Sequence, residues 1–144
     1  MASREVELVR GAYDAWNRGD LEDLCDRYSE AAEARPFLGD MLGANVFHGH
    51  AGIRRWYAEA NEPWERLIAE PEEISEAGER ILVRVHATGI GHDSGATVDA
   101  RFYHVVTVGE KIERVEACAD REQALRMIAG AAPASATAEP AGER

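Results

Sequence analysis

The sequence predicts one α+β domain in which helices come first and a sheet of long antiparallel strands follows. Before about residue 65, three segments have apolar residues at helical spacing, and from about residue 74 apolar residues alternate with polar ones. A chain of 144 residues is long enough for a single core. This order of elements is typical of a curved sheet backed by helices, and such a sheet wraps a cavity.

The first segment, Arg4 to Arg18, is predicted to form an amphipathic helix. Ser3 can cap its N-terminus, and Gly19 accepts the left-handed backbone that ends a helix. A second short helix is expected from Leu21 to about Tyr28, with Asp20 as its cap. The buried face of the first helix would carry Val6, Val9, Tyr13 and Trp16, and its polar face Glu5, Glu7, Arg10, Asp14 and Asn17.

The stretch from Ala31 to Gly49 loses the helical period and collects glycines, so it is expected to form a strand, a loop and a second short strand. A third helix is predicted from about Ala51 to Glu65. Pro63 should kink it or end it near Glu62. The inner side of this helix would carry Ile53, Trp56, Tyr57, Ala60 and Trp64.

After a polar connection from Glu62 to Glu79, alternation predicts strands with one buried face. One strand covers the alternating residues up to Thr88, the next runs from Val98 to Val108, and the last from Ile112 to about Cys118. The inward positions of the first would be Ile74, Ile81, Val83, Val85 and Ala87, and its polar face would carry Arg80, Leu82, Arg84, His86 and Thr88.

Asp120 is expected to cap a closing helical turn through Met127. The sequence after Gly130 has no large apolar residue and two prolines. The domain is therefore expected to span residues 1–129, and residues 130–144 are expected to form a disordered tail.

The net charge of -11 argues against nucleic acid and anionic membranes as partners. No stretch is long and apolar enough for a membrane span, and the start of the chain is too polar for a secretory signal, so a cytoplasmic location is expected. Cys25 and Cys118 are expected to be reduced packing thiols. No metal site and no cofactor are predicted, and an acidic exterior favours a neutral or cationic ligand.

His104 is the most informative polar residue, because it lies between Phe102 and Val106 on the apolar face of a strand. It is either a core histidine bonded to a helix or a pocket residue that acts as an acid/base group or a ligand anchor. Aromatic residues on the inner faces of helices are either core or cavity lining, and in a curved sheet they can be both. These candidate ligand contacts are Tyr13, Trp16, Trp56 and Trp64.

The glycine-flanked loop that follows Pro36 supplies further candidates. Asp40 is either a base at the mouth of the pocket or a solvated loop carboxylate. His48 is expected at the end of the next short strand, where it is either a group at the mouth or a surface residue. An apolar rim is expected from Phe37, Leu38, Met41 and Leu42.

Five short motifs occur in an order that resembles the SnoaL-like branch of the NTF2-like superfamily over about residues 4 to 129. They are Tyr13–Asp20, His48–Trp56, Ser94-Gly95, His104–Thr107 and Asp120–Leu125. The resemblance implies a cone-shaped α+β barrel with three helices packed in a strongly curved mixed sheet, an apolar pocket and a homodimer through the outer sheet face. Members include polyketide cyclases, ketosteroid isomerases and epoxide hydrolases, so the fold alone does not choose the reaction.

Catalytic residues of these relatives carry over incompletely. The cyclase aspartate falls at Glu116 or Ala117, with Ala117 the closer match. Arg84-Val85-His86 resembles the Arg-x-Asp dyad of epoxide hydrolases with histidine in place of aspartate, which makes His86 a candidate ligand contact.

The isomerase oxyanion tyrosine falls at Ala12, next to Tyr13, and the isomerase base falls at Arg35. The second oxyanion donor of those enzymes falls at or next to His104.

The sequence therefore predicts a protein that holds a small, largely apolar molecule. Any chemistry would be a proton shift or cyclisation beside a carbonyl, with His104 or Asp40 as base and Tyr13 or His48 donating to the oxyanion. The alternative is a non-catalytic ligand-binding or dimerisation module, which the missing family acids favour.

Overall fold

The computed structural model describes residues 3–36, 46–92 and 95–130. The described helices are α1 (Arg4–Arg18), α2 (Leu21–Asp26), α3 (Gly49–Asn61) and α4 (Arg121–Gly130). The described strands are β1 (Tyr28–Arg35), β2 (Phe47–His48), β3 (Trp64–Ala77), β4 (Arg80–Gly91), β5 (Thr97–Val108) and β6 (Ile112–Cys118).

The strands form one curved, mixed sheet in the order β2-β1-β6-β5-β4-β3. β1 and β6 run parallel, and the other neighbours are antiparallel. The sheet stays open, with β2 and β3 at its edges, and α1, α2 and α3 contribute to the core on its concave side. The predicted α+β class and the cone-like arrangement of three helices in a mixed sheet are confirmed.

Helix α1 forms for the reasons that the sequence indicates. The Ser3 side chain accepts a hydrogen bond from the Val6 amide, and Gly19 ends the helix at φ 73°. The predicted buried face is confirmed, but Asn17 is not a solvent-facing polar residue. Its side-chain amide donates to the Ala69 carbonyl and accepts from the Ala69 amide, both at 2.9 Å, and so fastens α1 to β3.

The predicted end of the third helix is confirmed at Asn61, but the helix does not continue to Glu65. Trp64 is the first residue of β3, a strand of 14 residues that replaces the expected polar connection. Register shifts between Trp64 and Arg66 and between Pro71 and Glu73 change the phase of the alternation, and for this reason the strand shows no clear period of two in the sequence.

Helix α4 covers part of the outer sheet face. Asp120 caps it as predicted by accepting from the Gln123 amide, and the helix runs beyond Met127 to Gly130. The expectation that Leu82 lies on a polar face is wrong, because α4 covers it: a second apolar cluster comprises Leu82, Val105, Cys118 and Ala124.

Cys25 and Cys118 are buried and free, as expected for packing thiols. Within the described ranges, no helix is long and apolar enough to cross a membrane. Gly130, the first residue of the expected tail, ends α4, and residues 131–144 lie outside the described part of the chain.

Candidate functional site

The concave side of the sheet, together with α1, α2 and α3, encloses a cavity of about 570 Å³. This volume lies in the range of pockets that hold small molecules. Most of its wall is aliphatic or aromatic, including Val9, Ala12, Leu24, Phe102, Val106 and Ile112. A polar group in such a wall therefore stands out chemically.

Tyr13 and His104 form a hydrogen-bonded pair in this wall. Tyr13 comes from the buried face of α1 and His104 from the inner face of β5, and the tyrosine hydroxyl lies 2.5 Å from Nδ1 of the imidazole. The two rings stack with centroids 5.8 Å apart, and the Phe102 ring packs edge-on against His104 at 5.2 Å. His104 is 6% exposed.

Burial decides the protonation state of this pair. It lowers the pKa of His104 from 6.5 to about 4 because the charged imidazolium is poorly solvated. Burial also raises the pKa of Tyr13 well above its usual value, and the neighbouring Tyr28 adds to that rise. Both side chains are therefore neutral at pH 7, so we assign the tyrosine hydroxyl as the donor to Nδ1, with the imidazole proton on Nε2.

The three tryptophans that the sequence singled out all line the cavity. Trp16 lies against Trp56 and Tyr57, with ring centroids 4.8 and 4.9 Å apart. Trp64 lines the cavity from β3 and not from a helix. Nε1 of Trp16 is enclosed and has no hydrogen-bond partner in the described part of the chain.

Two predicted ligand contacts, His48 and His86, are not among the described residues that line the cavity. The His48 side chain is 70% exposed and lies 3.8 Å from a Glu33 oxygen. Nε2 of His86 lies 2.7 Å from Asp99, and its Nδ1 lies 3.6 Å from Glu72.

His86 and His48 therefore do not belong to the cavity site. Strand alternation is the reason for His86: its neighbours Val85 and Ala87 take the inward positions, and His86 points to the other face. The loop candidates Asp40, Phe37 and Met41 lie outside the described residues.

Arg101 also lines the cavity, and two further polar cavity residues, Tyr28 and Glu59, were missed in the sequence. Tyr28 was assigned to the end of a helix, but α2 ends at Asp26 and Tyr28 starts β1, where burial raises the pKa of its hydroxyl. Glu59 lines the cavity from α3 and lies 3.5 Å from Arg55. Neither position carries a sequence signal, because helix boundaries and the far edge of an amphipathic face are the least certain parts of a pattern.

Ala117 also lines the cavity and lies beside His104 in the register of β5 and β6. The position that the resemblance aligns with the cyclase aspartate thus presents a methyl group to the cavity. Among the described residues, no three His, Cys, Asp or Glu side chains come together in a way that could hold a metal ion.

Comparisons with known proteins identify the family and the fold of this chain. No curated protein matches the chain. Among solved structures, TerC co-crystallized with polyporic acid has a TM-score of 0.72 at 23% identity, covering 88% of this chain and 99% of that one. A putative polyketide cyclase from Sinorhizobium meliloti has a TM-score of 0.64 at 22% identity, covering 77% and 93%.

SalBIII, an epoxide hydrolase/cyclase-like enzyme with a role in pyran ring formation in the polyether salinomycin, has a TM-score of 0.66 at 20% identity, covering 81% of this chain and 90% of that one. At these identities the likeness shows a shared fold. The model of the SnoaL-like domain matches residues 9–115, most of the described fold. The chain therefore belongs to the SnoaL-like domain family, with the NTF2-like fold.

Proposed function

We propose that this protein binds a small, largely apolar molecule in the cavity and hydrogen-bonds a carbonyl oxygen of that molecule through Nε2 of His104. The observation that carries the proposal is the neutral Tyr13–His104 pair in a largely apolar wall. The volume of the cavity, about 570 Å³, suits a ligand of a few fused rings.

The hydrogen bond from Tyr13 gives His104 its role. An imidazole that accepts at Nδ1 carries its proton at Nε2, and Tyr13 fixes both the tautomer and the ring orientation. A neutral imidazole with a pKa of about 4 is a weak base at pH 7, but it remains a hydrogen-bond donor. We therefore assign His104 to the carbonyl oxygen rather than to proton abstraction, a change from the role as base that the sequence left open.

Such a donor stabilises the negative charge that develops on the carbonyl oxygen when a neighbouring C–H bond is broken. The reaction we propose is a proton shift or a cyclisation beside that carbonyl. The polyketide cyclase and the cyclase-like enzyme among the structural neighbours support this class of chemistry, and the polyporic acid complex of TerC supports a small organic ligand.

The test uses 1-tetralone, a bicyclic ketone with exchangeable protons beside its carbonyl. NMR in D₂O follows both its binding and the exchange of its C2 protons for deuterium. The wild-type protein is expected to accelerate exchange, and His104→Leu is expected to lower the rate by about 100-fold, as removal of an oxyanion donor does in other enzymes. Tyr13→Phe should lower the rate less, since it removes only the orienting bond.

His48→Leu is the matched control, because it removes an exposed histidine outside the described cavity lining, and it should exchange at the wild-type rate. The double variant Tyr13→Phe with His104→Leu avoids an unpaired hydroxyl and separates loss of function from loss of folding. Exchange at the wild-type rate in a folded His104→Leu protein would refute the proposal.

A non-catalytic ligand carrier is the second candidate, because Ala117 occupies the cyclase base position and the deep polar groups are neutral. Binding of 1-tetralone without acceleration of exchange would favour it. Two further variants test the proton acceptor: Glu59→Gln, at the one described carboxylate in the cavity lining, and Asp40→Asn, at the candidate base from the sequence. The homodimer and the cytoplasmic location stay predictions.

A further inference from the structure

A second hydroxyl, that of Tyr28, faces the cavity and is unused in the described structure. Tyr28 lines the cavity and is 5% exposed. Among the described residues, its hydroxyl has no hydrogen-bond partner. The one described side-chain polar atom that is fully enclosed without a partner is Nε1 of Trp16 and not this hydroxyl. Because Tyr28 is buried and lines the cavity, its hydroxyl is placed to meet a molecule bound there.

Tyr28 lies at a different level of the cavity from His104. Its register partner on β6 is Ile112, which pairs with Val108 on β5, four residues beyond His104. Four residues along a strand correspond to about 13 Å. Val106 and Val115, which pair with each other, line the wall between the two levels.

The turn next to the Tyr28 level is joined to the start of α1. The Arg4 guanidinium at the start of α1 donates to the Gly109 and Glu110 carbonyls, in the turn that leads into Ile112. Tyr28 and the Tyr13–His104 pair thus place polar groups at different levels of a largely apolar wall. A molecule that fills the cavity would meet both.

We propose that Tyr28 determines specificity by hydrogen-bonding a second oxygen of the bound molecule, so that preferred ligands are apolar ring systems with a hydroxyl or second carbonyl remote from the carbonyl at His104. This inference rests on the proposed function. A site that hydrogen-bonds a ligand hydroxyl rejects the analogue without it, because its own buried hydroxyl is then left unpaired.

The experiment compares 1-tetralone with 5-, 6- and 7-hydroxy-1-tetralone, which share the ketone and differ in the position of the second oxygen. Dissociation constants are measured by calorimetry or NMR for the wild-type protein, Tyr28→Phe and Tyr103→Phe. Tyr103 is a matched control because it packs with the outer cluster under α4. We expect at least one hydroxy isomer to bind about tenfold more tightly than 1-tetralone, a preference that Tyr28→Phe abolishes and Tyr103→Phe keeps.

The affinity of Tyr28→Phe for 1-tetralone itself should stay within about twofold of wild type, and its melting temperature should not fall, since the hydroxyl has no described partner to lose. A purely structural tyrosine would instead lower stability and weaken all four ketones alike. If 1-tetralone binds through His104 but no isomer is preferred, or if the preference survives Tyr28→Phe, this inference is wrong and the proposed function stands. If none of the four ketones binds, both are wrong.

Discussion

Replacing His104 by glutamine should make the stability of the protein less dependent on pH. His104 has a pKa of about 4 in the folded protein, against about 6.5 in an unfolded chain. Between these values the unfolded state binds more protons, so stability is complete above about pH 6.5 and declines as the pH falls toward 4. The depressed pKa thus predicts destabilisation by mild acid.

The magnitude follows from the two pKa values. The full difference between the folded and unfolded pKa values corresponds to about 3 kcal/mol of unfolding free energy. Between pH 7.5 and pH 5 this single group should reduce the free energy of unfolding by about 2 kcal/mol. This window lies above the usual pKa of the carboxylates, which keeps the many acidic side chains out of the comparison.

The assay is urea unfolding of the wild-type and His104→Gln proteins at several pH values in this window. Loss of the Tyr13 hydrogen bond changes the stability of the variant by the same amount at every pH. All other side chains are common to the two proteins, so the difference between the slopes of stability against pH isolates His104. The wild-type protein should lose about 2 kcal/mol more than the variant. Parallel curves, or an NMR titration of His104 near pH 6.5, would refute a desolvated neutral imidazole and with it the donor assignment.

Two further predictions concern how the cavity is held together. Asn17→Ala should lower the free energy of unfolding by about 1–3 kcal/mol in urea titrations, because the backbone amide and carbonyl of Ala69 lose their partner. An unchanged midpoint would mean that this link between α1 and β3 does not stabilise the fold. Gly52→Ala should lower the free energy of unfolding by about 1–3 kcal/mol, because its Cβ would lie 2.8 Å from the Phe47 carbonyl carbon. Gly130→Ala is the control, since no described atom lies within 4 Å of its Cβ, and equal urea midpoints for the two variants would contradict the steric reasoning.

Much of this fold could be predicted because periodicity and cap chemistry act locally. The helix from Arg4 to Arg18, its serine cap and its terminal glycine appear in the sequence as they do in the structure. Strand β3 could not be predicted, because its bulges break the alternation and its edge position leaves much of it charged. Trp64 was assigned to the wrong element for the same reason, although its contact with the cavity was expected.

The site was only partly predictable, because its parts are far apart in the chain. Tyr13 and His104 could each be placed on an inner face, but their pairing spans 91 positions and depends on how α1 crosses β5. Leu82 shows that even the face can be missed: the alternation along β4 places it on the solvent side, but α4 packs over it and buries it. Local patterns give the face of a residue, and tertiary packing gives its partner.

The protonation states also constrain how a substrate would lie. Neither Tyr13 nor His104 is a good base at pH 7. Burial keeps the proton on the Tyr13 hydroxyl, and it keeps the His104 imidazole neutral by lowering its pKa to about 4. A base that removes a C–H proton must therefore lie elsewhere, and Glu59 is the described carboxylate that lines the cavity. Its side chain is 50% exposed and faces Arg55, so it belongs to the solvent-facing end of the site. In the proposed function, a substrate would then bind with its carbonyl directed to His104 and its acidic C–H directed outward, and its remote oxygen would reach Tyr28.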